Sequence, residues 1–116
     1  MTVYYSNNQL KIEDVFISDL VQEYKTPFYV YSKKTLIEEY IKLKKTLNQN
    51  IFYSIKANSN QSIISILKNL GAGADVVSGE ELKRALAAQV DPKKIIFEGV
   101  GKSKEDIILA IKSSCK

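Results

Sequence analysis

Lys56 follows an apolar run, Ile51-Phe52-Tyr53-Ser54-Ile55, and is followed at once by Ala57-Asn58-Ser59. The run reads as a strand, so Lys56 falls at its carboxyl end, where barrel-type α/β sheets build their sites. An ammonium there is costly to desolvate, which favours the neutral amine. A neutral amine is the nucleophile that condenses with an aldehyde to an imine. A lysine ending a strand is equally an ordinary solvated residue, and its position alone does not decide between the two. Ser54 stands two residues earlier, on the side of the strand that alternation gives to Lys56 as well.

Other chemistries are excluded by composition. With no histidine, the chain holds no Ser-His or Cys-His nucleophile pair. Cys115 is the only cysteine, so no internal disulfide or Cys/His zinc cluster is expected, and the thiol, one residue from the end, reads as a bystander. Formal net charge is +4, but basic and acidic residues alternate through Lys33, Lys34, Glu38, Glu39, Lys42, Lys44 and Lys45. That pattern is a solvated helix face, and no nucleic-acid partner is expected. No apolar run approaches the ~18 residues of a membrane span, and no apolar leader follows Met1. A cytoplasmic protein without membrane contact is the expectation.

Two glycine patterns fail as phosphate loops. Gly71-Ala72-Gly73-Ala74-Asp75-Val76 has Val76 at the third glycine of a dinucleotide fingerprint, and its glycines end a helix where that motif opens one. Gly101-Lys102-Ser103 resembles the end of a P-loop, but Ile96 occupies the place of the partner glycine.

The elements that would position Lys56 alternate. Val3-Tyr4-Tyr5 and Leu10-Lys11-Ile12 read as short strands around Ser6-Asn7-Asn8, with a short helix near 17–24. Pro27 biases Thr26 toward extended backbone, and Phe28-Tyr29-Val30-Tyr31 reads as a strand. Ser32 caps a helix carrying Leu36, Ile37, Tyr40, Ile41, Leu43 and Leu47. After the strand at 51–55, Asn58 or Ser59 caps a helix burying Ile63, Ile64, Leu67 and Leu70, closed by Gly71 in left-handed conformation. A second strand, Ala74-Asp75-Val76-Val77, leads through Ser78-Gly79-Glu80-Glu81, with capping-box spacing, into a helix with Leu82, Ala85 and Leu86. A third strand, Ile95-Ile96-Phe97, precedes a Ser103/Asp106 capping box and a helix with Ile107, Ile108 and Ile111. Three strand–helix units imply a parallel sheet. Periodicity does not say whether the helices cover one face, as in a closed barrel, or both, as in an open sheet. A closed barrel needs roughly 200 residues or more, so three units in 116 residues are expected to be an incomplete one.

Tyr53-Ser54-Ile55-Lys56-Ala57-Asn58, with Ile63-Ile64-Ser65-Ile66-Leu67 and Gly71 behind it, resembles the cofactor attachment site of the fold-type III pyridoxal-phosphate decarboxylases. Thr26-Pro27-Phe28-Tyr29-Val30-Tyr31-Ser32 is similar to the family's entry strand, and Gly71-Ala72-Gly73-Ala74-Asp75-Val76-Val77-Ser78 to its second barrel strand. Lys94-Ile95-Ile96-Phe97 with Gly99-Val100-Gly101-Lys102-Ser103 resembles the third, and Glu13-Asp14-Val15 fits the diaminopimelate branch. Three positions depart from the pattern: Ser54 where the family has alanine or proline, Glu80 for a glycine, and Glu98 where a small residue is common.

The resemblance implies an α/β fold, a partial (β/α)8 TIM barrel of alanine-racemase-like type with about three βα units. Residues 1–32 would be N-terminal strands and a short helix partly belonging to a C-terminal β domain, and residues 33–116 the first part of the barrel. It implies pyridoxal 5'-phosphate as cofactor, Lys56 as its imine lysine and catalytic proton carrier, and Asp75 beside it fixing charge near the ring. Asp75 as a local cap for backbone amides is the competing reading. Ser54 would line the same pocket. The implied reaction is decarboxylation of meso-2,6-diaminopimelate to L-lysine by a homodimer, with these residues inactive on their own. Decarboxylases of ornithine, arginine or carboxynorspermidine type, or a non-catalytic piece that only binds a partner, remain alternatives.

Overall fold

The computed structural model describes residues 2–115. The chain divides into two compact units, one ending at Lys42 and the other beginning at Leu43.

In the first unit, β1 (Val3–Ser6), β2 (Gln9–Ile12) and β3 (Val15–Phe16) form an antiparallel sheet in sequence order. Ser6 pairs with Gln9 across a two-residue turn, with Asn7 at φ 49 and Asn8 at φ 60. Asparagine tolerates that left-handed backbone, and two such residues in succession match the twist of a hairpin. The hairpin agrees with the sequence reading, while β3 was not anticipated in it. Helix α1 (Ile17–Glu23) follows. The strand expected over Phe28–Tyr31 does not form, because among the described residues no strand pairs with it. Without a ladder, β propensity fixes no strand. The Thr26–Pro27 peptide is cis.

Helix α2 (Lys33–Leu47) begins as Ser32 dictates: its hydroxyl accepts from the Thr35 N–H at 3.0 Å. Glu13 reinforces the start, accepting from the Ser32 hydroxyl at 2.6 Å and the Lys34 N–H at 2.8 Å. The Ser32 bond, followed by the Lys34 amide, holds the Glu13 carboxyl below its usual range. Of the expected apolar stripe on α2, Tyr40 is buried and Leu36 and Ile37 half-buried, but Ile41, Leu43 and Leu47 are exposed.

In the second unit, β4 (Phe52–Ser54), β5 (Gly73–Val76) and β6 (Ile95–Phe97) are parallel and neighbour one another in sequence order. Between and after them run α3 (Gln61–Asn69), α4 (Gly79–Ala87) and α5 (Lys104–Lys112). One cluster joins Ala74, Val76 and Ile95 of the strands to Ile64 of α3 and Leu82 and Ala85 of α4. Both helices therefore lie on the same face of the sheet. Ile55, Val76, Leu82 and Ile95 are fully buried, and each stabilises the unit by roughly 1.5–3 kcal/mol.

The C-terminus of α3 and the N-terminus of α5 follow the sequence signals closely. Gly71, at φ +97, ends α3 with its N–H on the Lys68 carbonyl and the Ala72 N–H on the Leu67 carbonyl. That is a Schellman closure, which needs a residue free of a Cβ penalty at Gly71. The N-cap of α3 is Asn60, not Asn58 or Ser59: its Oδ1 accepts from Ser62 N–H at 2.9 Å and Ile63 N–H at 3.4 Å. At α5 the Ser103/Asp106 capping box forms as expected. The apolar face expected there does not: Ile107, Ile108 and Ile111 are exposed, and Leu109 and Ala110 meet the core. No helix among the described residues is long and apolar enough to cross a membrane.

Candidate functional site

Strand β4 stops at Ser54, and Ile55–Ala57 forms one 3-10 turn with Lys56 at its centre. Lys56 therefore lies just past the strand end, and strand alternation no longer relates it to Ser54. Its side chain is exposed rather than desolvated, which corrects the burial expected from the apolar run. The backbone around it is held on both sides. Before it, Ile55 is anchored in the core at 0% exposure. After it, the Tyr53 hydroxyl donates to the Asn58 carbonyl at 2.9 Å, a bond that spans Lys56. Asn58 Oδ1 in turn accepts from the Asn60 N–H at 3.0 Å.

The same loop is tied to α4. Arg84 donates from its guanidinium to the Ser59 carbonyl at 3.2 Å, and the Gln61 amide donates to the Arg84 carbonyl at 3.1 Å. Arg84 is the chain's only arginine, a signal the sequence carried and the motif reading passed over. A planar guanidinium presents several donors in fixed directions, which suits it to bracing a loop carbonyl. Lys56 is thus an exposed amine on a turn braced from both sides.

Ser54 and Asp75 are brought together. They are register partners across β4 and β5, and Asp75 pairs onward with Ile96 of β6. Partners in a parallel ladder share a face, so Ser54, Asp75 and Ile96 form a row on the face opposite Ala74 and Ile95. Ser54 Oγ and Asp75 Oδ1 are both buried, and neither has a hydrogen-bond partner. Native proteins leave few buried polar atoms unsatisfied, and each carries a cost. The local-cap reading of Asp75 gains nothing from that oxygen, which accepts from no backbone amide.

Beyond Asp75 the chain is fastened again. The Val77 N–H donates to Glu81 Oε2 at 2.9 Å, and the Glu81 N–H to Ser78 Oγ at 3.2 Å. Glu81 reaches the amide one residue before the cap, a variant of the box its spacing suggested. Asp106 closes the rim, with Oδ1 accepting from the Gly79 N–H at 3.0 Å and Oδ2 from the Ser103 N–H at 3.1 Å. The bridge to Gly79 joins residues 27 apart, and no local sequence pattern announces it. Cys115 is half-buried, and burial pushes its thiol up, away from the reactive thiolate.

These residues offer a primary amine for covalent attachment and, on the neighbouring row, one hydroxyl and one carboxylate oxygen in need of a donor. Both features suit an aldehyde cofactor that also carries proton-bearing polar groups.

Comparison with known proteins points the same way. Residues 33–116 match the family described as pyridoxal-dependent decarboxylase, pyridoxal binding domain. The chain is 40% identical over 116 residues to the diaminopimelate decarboxylase of Vibrio cholerae, covering 97% of this chain and 28% of that protein. The crystal structure of AQ1208 from Aquifex aeolicus superposes with a TM-score of 0.94 at 37% identity, over 98% of this chain and 29% of that one. Diaminopimelate decarboxylase from M. jannaschii, in co-complex with L-lysine, gives 0.85 at 35% identity, over 98% and 28%. The chain thus spans under a third of the length of the relatives it matches. Its strands, its lysine turn and its sequence agree on one assignment: the chain belongs to the pyridoxal-dependent decarboxylases, and residues 33–116 to their pyridoxal-binding domain.

Proposed function

We propose that this chain is part of a pyridoxal-phosphate-dependent enzyme that decarboxylates meso-2,6-diaminopimelate to L-lysine and carbon dioxide. The observation that carries the proposal is Lys56, an exposed amine on a turn pinned by Ile55, Tyr53, Asn58 and Arg84. A nucleophile fixed at its backbone and free at its tip meets the positional demand of covalent catalysis.

Pyridoxal phosphate, when bound, supplies the electron sink for the carbanion left by departing carbon dioxide. The chain's own residues do the rest. Lys56 Nζ would hold the cofactor covalently, and the same amine would give or take a proton at that nitrogen. Asp75 places a carboxylate on the neighbouring strand, where it balances positive charge. Ser54 lines the same row. The substrate assignment is supported by the Vibrio cholerae relative and by L-lysine in the M. jannaschii complex.

The helices α3 and α4 on a single face of a parallel sheet are the arrangement of a (β/α)8 barrel, of which residues 33–116 would be the first part. Residues 1–32 would belong partly to a β domain, in a homodimeric, cytoplasmic enzyme. The test is made on the full-length protein. Lys56→Ala is expected to abolish both the visible absorbance of lysine-linked pyridoxal phosphate and the release of carbon dioxide from diaminopimelate. Visible absorbance retained in the variant would assign attachment to another lysine. Turnover of ornithine without diaminopimelate would replace the substrate.

A further inference from the structure

The side chain of Lys56 is exposed, and the element that carries it is a single 3-10 turn, Ile55–Ala57. The hydrogen-bond geometry of such a turn is poor, so its position depends on what fastens its two ends. The upstream end is Ile55, fully buried in the core cluster. Downstream, two side chains reach loop carbonyls, and their settings differ. Arg84 donates to the Ser59 carbonyl at 3.2 Å from an exposed position, where water competes for both partners. The Tyr53 hydroxyl donates to the Asn58 carbonyl at 2.9 Å in a half-buried setting, and its ring packs against the cluster that holds Ile55. A phenol hydroxyl sits at the end of a rigid ring, so a packed ring fixes where its partner must be.

We propose that Tyr53 is a positioning residue for Lys56: its hydroxyl ties the far side of the lysine turn to the helix-side core. Tyr53 stands three residues before Lys56 and Asn58 two after, so the bond encloses the lysine on both sides. The turn is then referenced to the core at Ile55 and at Asn58, and the amine is presented in a narrow range of directions. Without the hydroxyl, the downstream end is left to the exposed Arg84 bond. The amine then spends less of its time in reactive geometries. This inference deepens the pyridoxal reading of Lys56 and rests on it.

The experiment compares full-length wild type with Tyr53→Phe, Lys56→Ala and Tyr4→Phe. Tyr4 is the matched control, because its hydroxyl also donates to a backbone carbonyl, that of Glu13 at 3.2 Å, in the first unit. Two quantities are read. One is hydrogen exchange of the cofactor-free proteins at residues 56–58. The other is the rate at which added pyridoxal phosphate develops lysine-linked visible absorbance. Tyr53→Phe keeps the ring and its packing, and is expected to raise exchange at the turn and to slow the absorbance by roughly five- to tenfold, the scale of one net hydrogen bond. Tyr4→Phe changes neither quantity. Absorbance developing at the wild-type rate in Tyr53→Phe would overturn the proposal: with exchange unchanged the bond is idle, and with exchange raised the hydroxyl is a packing group only. A slower rate with unchanged exchange would overturn it too, because the hydroxyl would then not act through the turn. Equal slowing in Tyr4→Phe would make the effect a general loss of stability, with the same consequence. If Lys56→Ala develops the wild-type absorbance, the pyridoxal reading and the role of Tyr53 fall together. If Lys56→Ala stays colourless and Tyr53→Phe behaves as wild type, the Tyr53 proposal alone falls.

Discussion

The two faces of the β4–β5–β6 sheet obey different rules. Toward the helices point Tyr53, Ala74, Val76, Ile95 and Phe97, and Ala74, Val76 and Ile95 are 0–1% exposed in one continuous cluster. The opposite face presents Phe52, Ser54, Gly73, Asp75 and Ile96, with two buried polar atoms unsatisfied. An apolar side chain at Ser54 or Asp75 would cost the folded chain less, since it would strand no polar atom. One face is therefore packed for stability, and the other carries a stability cost at Ser54 and Asp75, the positions proposed to line the cofactor site. Departures from local consistency concentrate where a protein has something to bind.

The largest effect that sharpens this contrast is expected on the helix face. Leu82 is fully buried in α4 at the centre of the cluster, so Leu82→Ala removes its apolar burial and leaves a cavity among Val76, Ala85 and Ile95. A loss of about 2–5 kcal/mol in chemical denaturation is expected. A loss under ~1 kcal/mol would show that the cluster does not carry the unit's stability, and the contrast between faces would break.

The opposite face has one position where space, not polarity, is limiting. A Cβ on Gly73 would stand 2.5 Å from the Lys94 carbonyl oxygen and 2.6 Å from the Phe52 ring. The ring is able to swing aside, but the carbonyl belongs to the backbone just before β6 and has little freedom to retreat. Gly73→Ala is expected to cost about 1–3 kcal/mol by overpacking, less than Leu82→Ala. A neutral result in the same denaturation assay would mean the strands separate readily there, and the row geometry around Asp75 would lose its support.

The sequence made the sheet legible because each strand–helix unit carries local punctuation: Gly71 after α3, Ser78 before α4, Ser103 with Asp106 before α5. Such caps act within a few residues and so survive in the text. The family was legible through the residues around Lys56, although the exposure of that lysine on a 3-10 turn was not, since an apolar run does not reveal where the ladder ends. Phe28–Tyr31 misled for the converse reason: strand propensity is present, but a ladder needs a partner. The pairing of Ser54 with Asp75 depended on register, which brings together residues 21 apart. The exposure of Ile107 and Ile111 was likewise hidden, because periodicity marks a face without saying what lies against it. Arg84 stands out as the only arginine, but its bond to Ser59, like the second bond of Asp106, acts across the fold and has no local pattern to announce the partner.

The smallest expected effect lies at the rim where both faces end, and it is a dependence on pH. Asp106 is a solvent-facing carboxylate whose two oxygens accept from the Gly79 and Ser103 amides, tying the start of α4 to the start of α5. The Ser103 amide first, then the Ser103 hydroxyl, with Gly79 and Lys83 adding smaller shares, hold its carboxyl below the usual aspartate range. A carboxyl whose value is lower folded than unfolded releases its proton more readily in the folded chain, so its ionisation favours folding. That contribution is complete above the ordinary aspartate value and disappears as pH falls through the depressed one. Asp106→Asn keeps the shape but removes the charge and one acceptor. The variant is therefore expected to be slightly less stable than wild type at neutral pH, with the gap narrowing as the solution is acidified below the aspartate range. Being exposed, the group is screened by solvent, and the difference stays well under that of Gly73→Ala. Urea midpoints of the two proteins across about pH 2.5 to 7, a range that brackets an ordinary aspartate on both sides, check the sign. A gap that is constant over the range would show that the Asp106 bridge acts through its shape alone, leaving the rim held by Ser78 and Glu81.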